Sequence, residues 1–145
     1  MAAGLEVHDL AGALRLSIGL LTRRLRQAQP GGELTWGESA ALGRLDREGP
    51  TTAAALARLE HISPQSMGAT LAALEERRLI ERSDDPQDGR RAILSVTDAG
   101  RRCRQDHVAV LTEQLAHALA TGFTSAELEQ LAALAPLLER LAQDI

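Results

Sequence analysis

Residues 79–100 read LIERSDDPQDGRRAILSVTDAG, and this stretch decides the fold of the chain. Its centre, residues 84–89, is dense in Asp, Pro and Gly, which favour turns. The flank at 79–82 is short and extended in character, and the flank at 92–97 is rich in β-branched residues. Two short strands around such a turn predict a β-hairpin.

Two helices are predicted immediately before this hairpin. Ser63 is a helix-capping residue and Pro64 suits the first helical position, so a helix begins here and runs to about residue 78. Its apolar stripe consists of Met67, Leu71 and Leu74. A shorter helix, residue 53 to about 60, lies about three residues upstream, which is the helix-turn-helix arrangement. A hairpin that directly follows a helix-turn-helix is a wing.

Longer helices are predicted at both ends of the chain. Residues 5–28 carry leucines and isoleucine over so wide an arc that we expect burial on more than one side, and Pro30 with its neighbours breaks this helix. A capping box at residues 35–38 starts the next helix, and another at 124–127 starts the last one. Between them, Thr97 caps a helix to about residue 120. Pro136 should kink the last helix or lower its stability.

The composition fits one small helical domain. The chain has 145 residues, of which 44% are hydrophobic and 1% aromatic, so the core must be aliphatic. No run of 18 apolar residues and no basic-then-apolar leader is present, which predicts neither a membrane span nor a signal peptide. The single cysteine excludes an intrachain disulfide framework, and the cytosol is the expected compartment.

The basic residues are all arginine and are unevenly distributed. The chain carries a net charge of −4, yet residues 77–104 hold 8 of its 16 arginines and 5 acids, a local charge of +3. Residues 105–145 hold one arginine and six acids. A basic stripe on an acidic protein is the electrostatic footprint of phosphate contacts, although a solvated helix face would have the same composition.

The chain resembles the multiple antibiotic resistance regulator (MarR) family of bacterial winged helix-turn-helix transcription factors. The most specific residues are Asp85-Pro86-Gln87-Asp88-Gly89-Arg90, similar to the family's wing pattern D-P-x-D-x-R, followed by Leu94 to Gly100. Ser63-Pro64-Gln65-Ser66-Met67 is similar to the start of its recognition helix. The resemblance implies a mainly α (α+β) fold with a winged helix-turn-helix at about 35–100, and a helical dimerisation part at about 1–30 and 101–145.

The same resemblance implies a function. We expect a homodimer that binds double-stranded DNA at a pseudo-palindromic operator, probing a major groove with each recognition helix and a minor groove with each wing. The expected role is a bacterial, nucleoid-associated transcriptional repressor. A small aromatic or anionic ligand is expected to change its DNA affinity.

The recognition helix offers a face for reading bases opposite its apolar stripe. Gln65 can pair with adenine, Ser66 and Thr70 can bond to several bases, and Ala69 can touch a thymine methyl group. Pro64 leaves the next amides free for a phosphate. The helix has no arginine between Ser63 and Glu76, and Gly68 lies in its interior. These same small residues would also suit a merely solvated, alanine-rich helix.

The wing offers charged side chains for the DNA backbone and minor groove. Arg90 is predicted to enter a narrow minor groove, where the negative potential is enhanced. Asp88 is predicted to pair with and orient an arginine, and Arg91 to contact a phosphate. Arg58, Arg82 and Ser63 are weaker candidates for phosphate contacts. Arg77 and Arg78 are expected to pair within the chain, with Glu75, Glu81 or Asp84.

The sequence also bears on three other classes of function. Cys103 is flanked by Arg101, Arg102 and Arg104, which could favour a reactive thiolate, so a redox-sensing regulator is one alternative to an inert cysteine. A helical adaptor that no longer binds DNA is a second. No histidine spacing suits a metal, no cofactor motif is present, and no catalytic arrangement is readable, so neither a metal, a cofactor nor an enzyme is expected.

Overall fold

The computed structural model describes residues 6–28 and 34–145. In those ranges the chain forms six helices and two strands. Their order is α1 (Val7–Gln27), α2 (Trp36–Glu48), α3 (Ala53–Leu59), α4 (Pro64–Glu76), β1 (Ile80–Asp84), β2 (Ala92–Val96), α5 (Asp98–Gly122) and α6 (Ser125–Gln143). The predicted mainly α fold with a two-stranded hairpin is confirmed, whereas the predicted break at Pro30 lies outside the described residues.

Capping side chains begin five of the six helices. Each cap accepts a hydrogen bond from the amide three residues on, at 3.0–3.2 Å, and the caps are Thr35, Thr52, Ser63, Thr97 and Thr124. The Thr124 box is complete, because the Glu127 carboxylate accepts from the Thr124 amide at 2.8 Å. At α2 the Glu38 carboxylate instead pairs with Arg77, 3.2 Å away. Local caps therefore fix where the helices start.

Backbone conformations with positive φ follow three of the helices. Gly49 follows α2 with φ +80°, and its amide donates to Leu45. His61 adopts φ +52° in the short link between α3 and α4, which turns the chain between the two helices. Arg78, at φ +58°, does the same after α4, so this helix ends at Glu76 and not at residue 78 as predicted.

An aliphatic core joins α2, α3, α4 and the hairpin. Its members are less than a tenth exposed, and they are Leu34, Ala41, Leu42, Leu45, Leu56, Ala57, Met67, Leu71, Leu74, Leu79, Ile80, Leu94 and Val96. The stripe predicted for α4 is confirmed. In α3 the spacing of Leu56 and Leu59 predicts that both face the core, but Leu59 is 39% exposed and Ala57 is buried instead. Seven residues are too few for the periodicity to distinguish the inner from the outer face.

The hairpin is antiparallel, and a residue outside its two strands also pairs with it. Ile80 pairs with Val96, and the register continues to Asp84 opposite Ala92. Thr51, in the extended link before α3, exchanges both backbone hydrogen bonds with Leu94, at 2.7 and 3.1 Å. This bridge ties the base of the hairpin to the start of α3.

The first turn of α5 is fastened to the start of β1. The Thr97 amide donates to Leu79 O at 3.1 Å, and Thr97 Oγ1 donates to Arg78 O at 2.8 Å. Gly100 is buried where α5 crosses this segment, and a Cβ there would overlap the Leu79 carbonyl oxygen and lie 2.9 Å from Val96 Cγ2. Glycine at this position allows the helix backbone to approach β1 closely.

The long helices differ from the core helices in exposure. None of the described residues of α1 is buried, and its Leu16, Leu20 and Leu21 are 63%, 51% and 53% exposed. The expected burial on several sides is therefore wrong for the single chain as far as it is described, because no residue in 6–28 or 34–145 encloses this arc. α6 continues through Pro136 from Ser125 to Gln143.

The chain divides into two compact units, residues up to Ala109 and Val110–Ile145. Across residues 6–28 and 34–145, every helix is too short or too polar to cross a membrane.

Candidate nucleic-acid interface

The recognition helix α4 is held by one face and exposes the other. Met67, Leu71 and Leu74 are at most 2% exposed and anchor the helix in the core. Gln65, Ser66 and Ala69 lie on the exposed side, and we call these three residues the recognition face. Burying one face in this way presents the other at a fixed orientation.

Thr70 lies at the edge of the recognition face and not on it. Its side chain is half-buried, and a Cβ on Gly37 of α2 would be 3.8 Å from Thr70 Oγ1. Thr70 was predicted among the base-reading residues, and the structure places its hydroxyl beside the first turn of α2.

The hydroxyl groups at the start of α4 bond to one another. Ser63 Oγ accepts from the Ser66 amide at 3.1 Å and donates to Ser66 Oγ at 3.0 Å. Pro64 has no N–H, and the Met67 amide donates to Ser63 O at 3.0 Å. The amide of Gln65 is thus left without a helical acceptor at the exposed start of α4. Ser66 Oγ accepts from Ser63, whereas the structure of residues 6–28 and 34–145 gives no hydrogen bond for the side-chain amide of Gln65.

Asp88 organises the turn of the wing. Its Oδ1 accepts from the Arg90 amide at 3.1 Å, its carbonyl accepts from the Arg91 amide at 3.0 Å, and its Oδ2 lies 3.8 Å from Arg91 Nε. Asp88 therefore fixes the backbone at Arg90 and approaches the side chain of Arg91. The Arg90 side chain is exposed, and no ion pair is described for it in the part of the chain that the structure covers. Its full charge is available to a ligand.

A bidentate ion pair links the recognition helix to the wing. Arg82 of β1 donates from Nε and Nη2 to the two oxygens of Glu75, at 3.3 and 3.2 Å. Arg77 pairs with Glu38, which is not among the expected partners Glu75, Glu81 and Asp84. Glu75 pairs with Arg82. A sequence pattern cannot show which of two arginines, here Arg77 and Arg82, faces a given carboxylate.

Cys103 is half-buried and packs against the core. Its sulfur accepts from Arg77 Nη2 at 4.0 Å. Of the flanking arginines, Arg101 faces Asp46, and this hydrogen bond raises the pKa of Arg101 above its ordinary value. Arg104 lies against Gly43 in α2. Arg101 and Arg104 therefore contact α2, and a cation that does meet the sulfur, Arg77, comes from the end of α4.

A second polar feature lies where α1 ends and α2 begins. The Arg26 guanidinium is 5.3 Å from the ring centre of Trp36, a distance typical of a cation–π contact. The two side chains line a cleft of about 440 Å³ with Glu60, Ile62 and Met67, which we call the Trp36 cleft. A cation and an aromatic ring suit an aromatic or anionic molecule. Nothing in the spacing of these residues predicts the cleft, because they come from four different segments.

Metal-binding chemistry finds no support in residues 6–28 and 34–145. They contain no group of three or more His, Cys, Asp or Glu side chains that could hold a metal ion.

The chain has relatives among known regulators. A family model described as MarR family matches residues 33–91. An uncharacterised helix-turn-helix-type transcriptional regulator of Mycobacterium bovis is 35% identical over 107 residues, which are 69% of this chain and 75% of that one.

Solved structures share the fold over nearly the whole chain. A putative transcriptional regulator from Pseudomonas aeruginosa is 34% identical with a TM-score of 0.79, covering 93% of this chain and 95% of that one. BpsR of Bordetella bronchiseptica, described for the regulation of its DNA binding by 6-hydroxynicotinic acid, is 24% identical with a TM-score of 0.60. That match covers 87% of this chain and 98% of BpsR, and it bears on the fold alone.

Proposed function

Because this chain belongs to the MarR family of DNA-binding transcriptional regulators, we propose that it represses transcription in the bacterial cytoplasm by binding a pseudo-palindromic operator as a homodimer. We assign operator binding to about residues 35–100, and dimerisation to about 1–30 and 101–145. The family and the names of the relatives are those of regulators, so the chain is not an enzyme.

The observation that carries this proposal is that two exposed side chains, Gln65 and Arg90, project from two separately fixed elements. The Gln65 side chain projects from a helix fixed in the core, while the Arg90 guanidinium projects from a turn fixed by Asp88. A side-chain amide can pair with both edge atoms of adenine in the major groove. A guanidinium suits the negative potential of a narrow minor groove. We assign further DNA contacts to Ser63, Pro64, Ser66, Ala69 and Arg91. Thr70 contributes to the packing of the helix against α2.

Dimerisation is supported by the exposed arc of α1. Leucines that remain half-exposed along a 21-residue helix form an apolar surface larger than single scattered residues. A two-fold dimer presents two copies of the recognition face, which then fit half-sites about one helical turn apart.

The test uses two variants and a control on selected operator DNA. The operator is first selected from random duplexes with the full-length chain. Arg90→Ala should weaken binding to operator and random DNA alike, and it should make the salt dependence shallower by about one unit of slope. Gln65→Ala should cost about 1–3 kcal/mol on the operator and little on random DNA, with the slope unchanged. Arg140→Ala, which removes an exposed charge from α6, is the control.

Equal losses on both duplexes for Gln65→Ala would exclude base reading through this residue. No loss for Arg90→Ala would remove the wing from the mechanism. Failure of the wild-type chain to bind any duplex would favour the helical adaptor.

We also propose that a small aromatic or anionic ligand controls DNA binding, with the Trp36 cleft as its site. Arg26 supplies a cation and Trp36 an aromatic face, and the cleft adjoins α4 through Met67. Titration calorimetry with benzoate should detect binding that Arg26→Gln abolishes, while Arg140→Gln binds like the wild type. Unchanged binding by Arg26→Gln would place the ligand elsewhere.

A further inference from the structure

Three arginines from separate elements line one cleft beside the wing. Arg58 belongs to α3, Arg82 to β1, and Arg91 directly precedes β2. The cleft measures about 270 Å³, and its other lining residues are small: Thr52, Ala53, Ala54 and Ala92. We call it the arginine cleft. Its small wall residues leave room for a compact group such as a phosphate.

The charges in the arginine cleft are only partly neutralised. Arg82 shares its charge with Glu75, and Arg91 lies 3.8 Å from Asp88. Arg58 is exposed, and no ion pair is described for it within residues 6–28 and 34–145. The Glu75 contact occupies Nε and Nη2 of Arg82, and a guanidinium has five N–H donors, so donors remain on this side chain. The cleft therefore has excess positive charge together with unused donors, which favours an anion.

The position of the cleft indicates the source of that anion. In a helix-turn-helix protein the second helix enters the major groove while the first crosses the DNA backbone. Arg58 lies on that first helix, and Arg91 is next to Arg90 at the wing. We propose that the arginine cleft binds one backbone phosphate of the operator, held between α3 and the base of the wing. This inference rests on the proposed function and adds a specific site to it.

A phosphate in this cleft would fix the position of the wing relative to the recognition helix. Arg82 already joins β1 to the last turn of α4 through Glu75. Thr51 already joins the start of α3 to β2 through Leu94. The phosphate adds a contact between Arg58 and the two wing arginines, so that the wing and the recognition helix keep one fixed offset along the DNA. Contacts of this kind set the register of a protein on a duplex without reading sequence.

The test compares Arg58→Gln with Arg58→Lys and with the control Arg140→Gln. Each phosphate contact contributes about 0.9 to the slope of log affinity against log salt. Raising the salt concentration from about 50 to about 200 mM should therefore lower the DNA affinity of Arg58→Gln about 3.5-fold less than that of the wild type, on operator and random DNA alike. Arg58→Lys should restore most of the slope, and Arg140→Gln should match the wild type. Arg58 is exposed, so circular dichroism should confirm an unchanged fold.

A scan of the operator with single neutral methylphosphonates identifies the phosphate. At one position per half-site, the methylphosphonate should lower the affinity of the wild type but cause no further loss in Arg58→Gln. At the same position it should cause no further loss in Arg91→Gln either. An unchanged salt slope for Arg58→Gln would overturn the inference while Arg90→Ala still tests the proposed function. A second outcome would also overturn the inference. If inorganic phosphate stabilises the DNA-free wild type but not Arg58→Gln, and no methylphosphonate lowers affinity, the cleft binds a free anion and not the operator backbone.

Discussion

Replacing Gly100 by alanine should destabilise the chain strongly. The added methyl group would overlap the Leu79 carbonyl oxygen and press on Val96 Cγ2, 2.9 Å away. Neither neighbour is the free end of a flexible side chain, since one is backbone and the other is part of the core. The first turn of α5 must therefore move away from β1.

The expected loss follows from three contributions. Overpacking of a filled site costs about 1–3 kcal/mol. Moving α5 also breaks the two hydrogen bonds of Thr97, to Leu79 O and Arg78 O, at about 1 kcal/mol each. The higher helix propensity of alanine returns about 1 kcal/mol. The free energy of unfolding should thus fall by about 2–4 kcal/mol, and Tm by about 8–16 °C at about 4 °C per kcal/mol.

Urea and thermal unfolding, followed by circular dichroism at one fixed protein concentration, measure this loss. Gly68→Ala is the matched control, because this glycine also lies inside a helix but has open space around its Cβ position. It should raise stability by about 0.5–1 kcal/mol through helix propensity alone. If Gly100→Ala unfolds within about 0.5 kcal/mol of the wild type, the rigid contact between α5 and β1 is refuted.

Three further variants test other parts of the chain. Cys103→Ser should leave operator affinity and its response to peroxide unchanged, since the sulfur is half-buried against the core; peroxide-induced release that only the wild type shows would establish the redox alternative. Thr124→Ala removes a complete capping box and should lower the free energy of unfolding by about 1 kcal/mol in urea titrations, whereas no change would mean that the start of α6 is frayed. Deleting residues 1–28 should give monomeric or aggregated protein by sedimentation, without operator affinity; a truncated chain that binds a two-half-site operator like the full chain would contradict the dimer assignment.

Local signals made the helix starts and the wing predictable from sequence. A capping residue such as Thr52 or Ser63 acts on an amide three positions away, so the sequence contains both partners. The turn at residues 84–89 and the β-branched flank similarly located the hairpin. The recognition face could be predicted from the apolar stripe that includes Met67, because the face opposite a buried stripe must be exposed.

Contacts between distant segments could not be predicted in this way. Arg77 pairs with Glu38, 39 positions upstream, and the arginine cleft depends on the approach of α3 to the hairpin. Thr70 looked equivalent to Ser66 on a helical projection, yet α2 covers one of them and not the other. The hydrophobic pattern of α1 indicates an apolar face, but a pattern alone cannot identify the surface that would cover this face.

The Arg26–Trp36 contact gives the chain a built-in optical probe. Trp36 is the single tryptophan and tyrosine is absent, so emission excited at wavelengths that Phe123 does not absorb comes from this indole. The ring is half-buried, with a guanidinium 5.3 Å from its centre, at the junction of α1 and α2. Displacement of Arg26, by a molecule entering the cleft or by a shift of α1, changes the charge over the ring and therefore its emission. Events at this junction can thus be followed in the unlabelled, wild-type chain while it is bound to DNA.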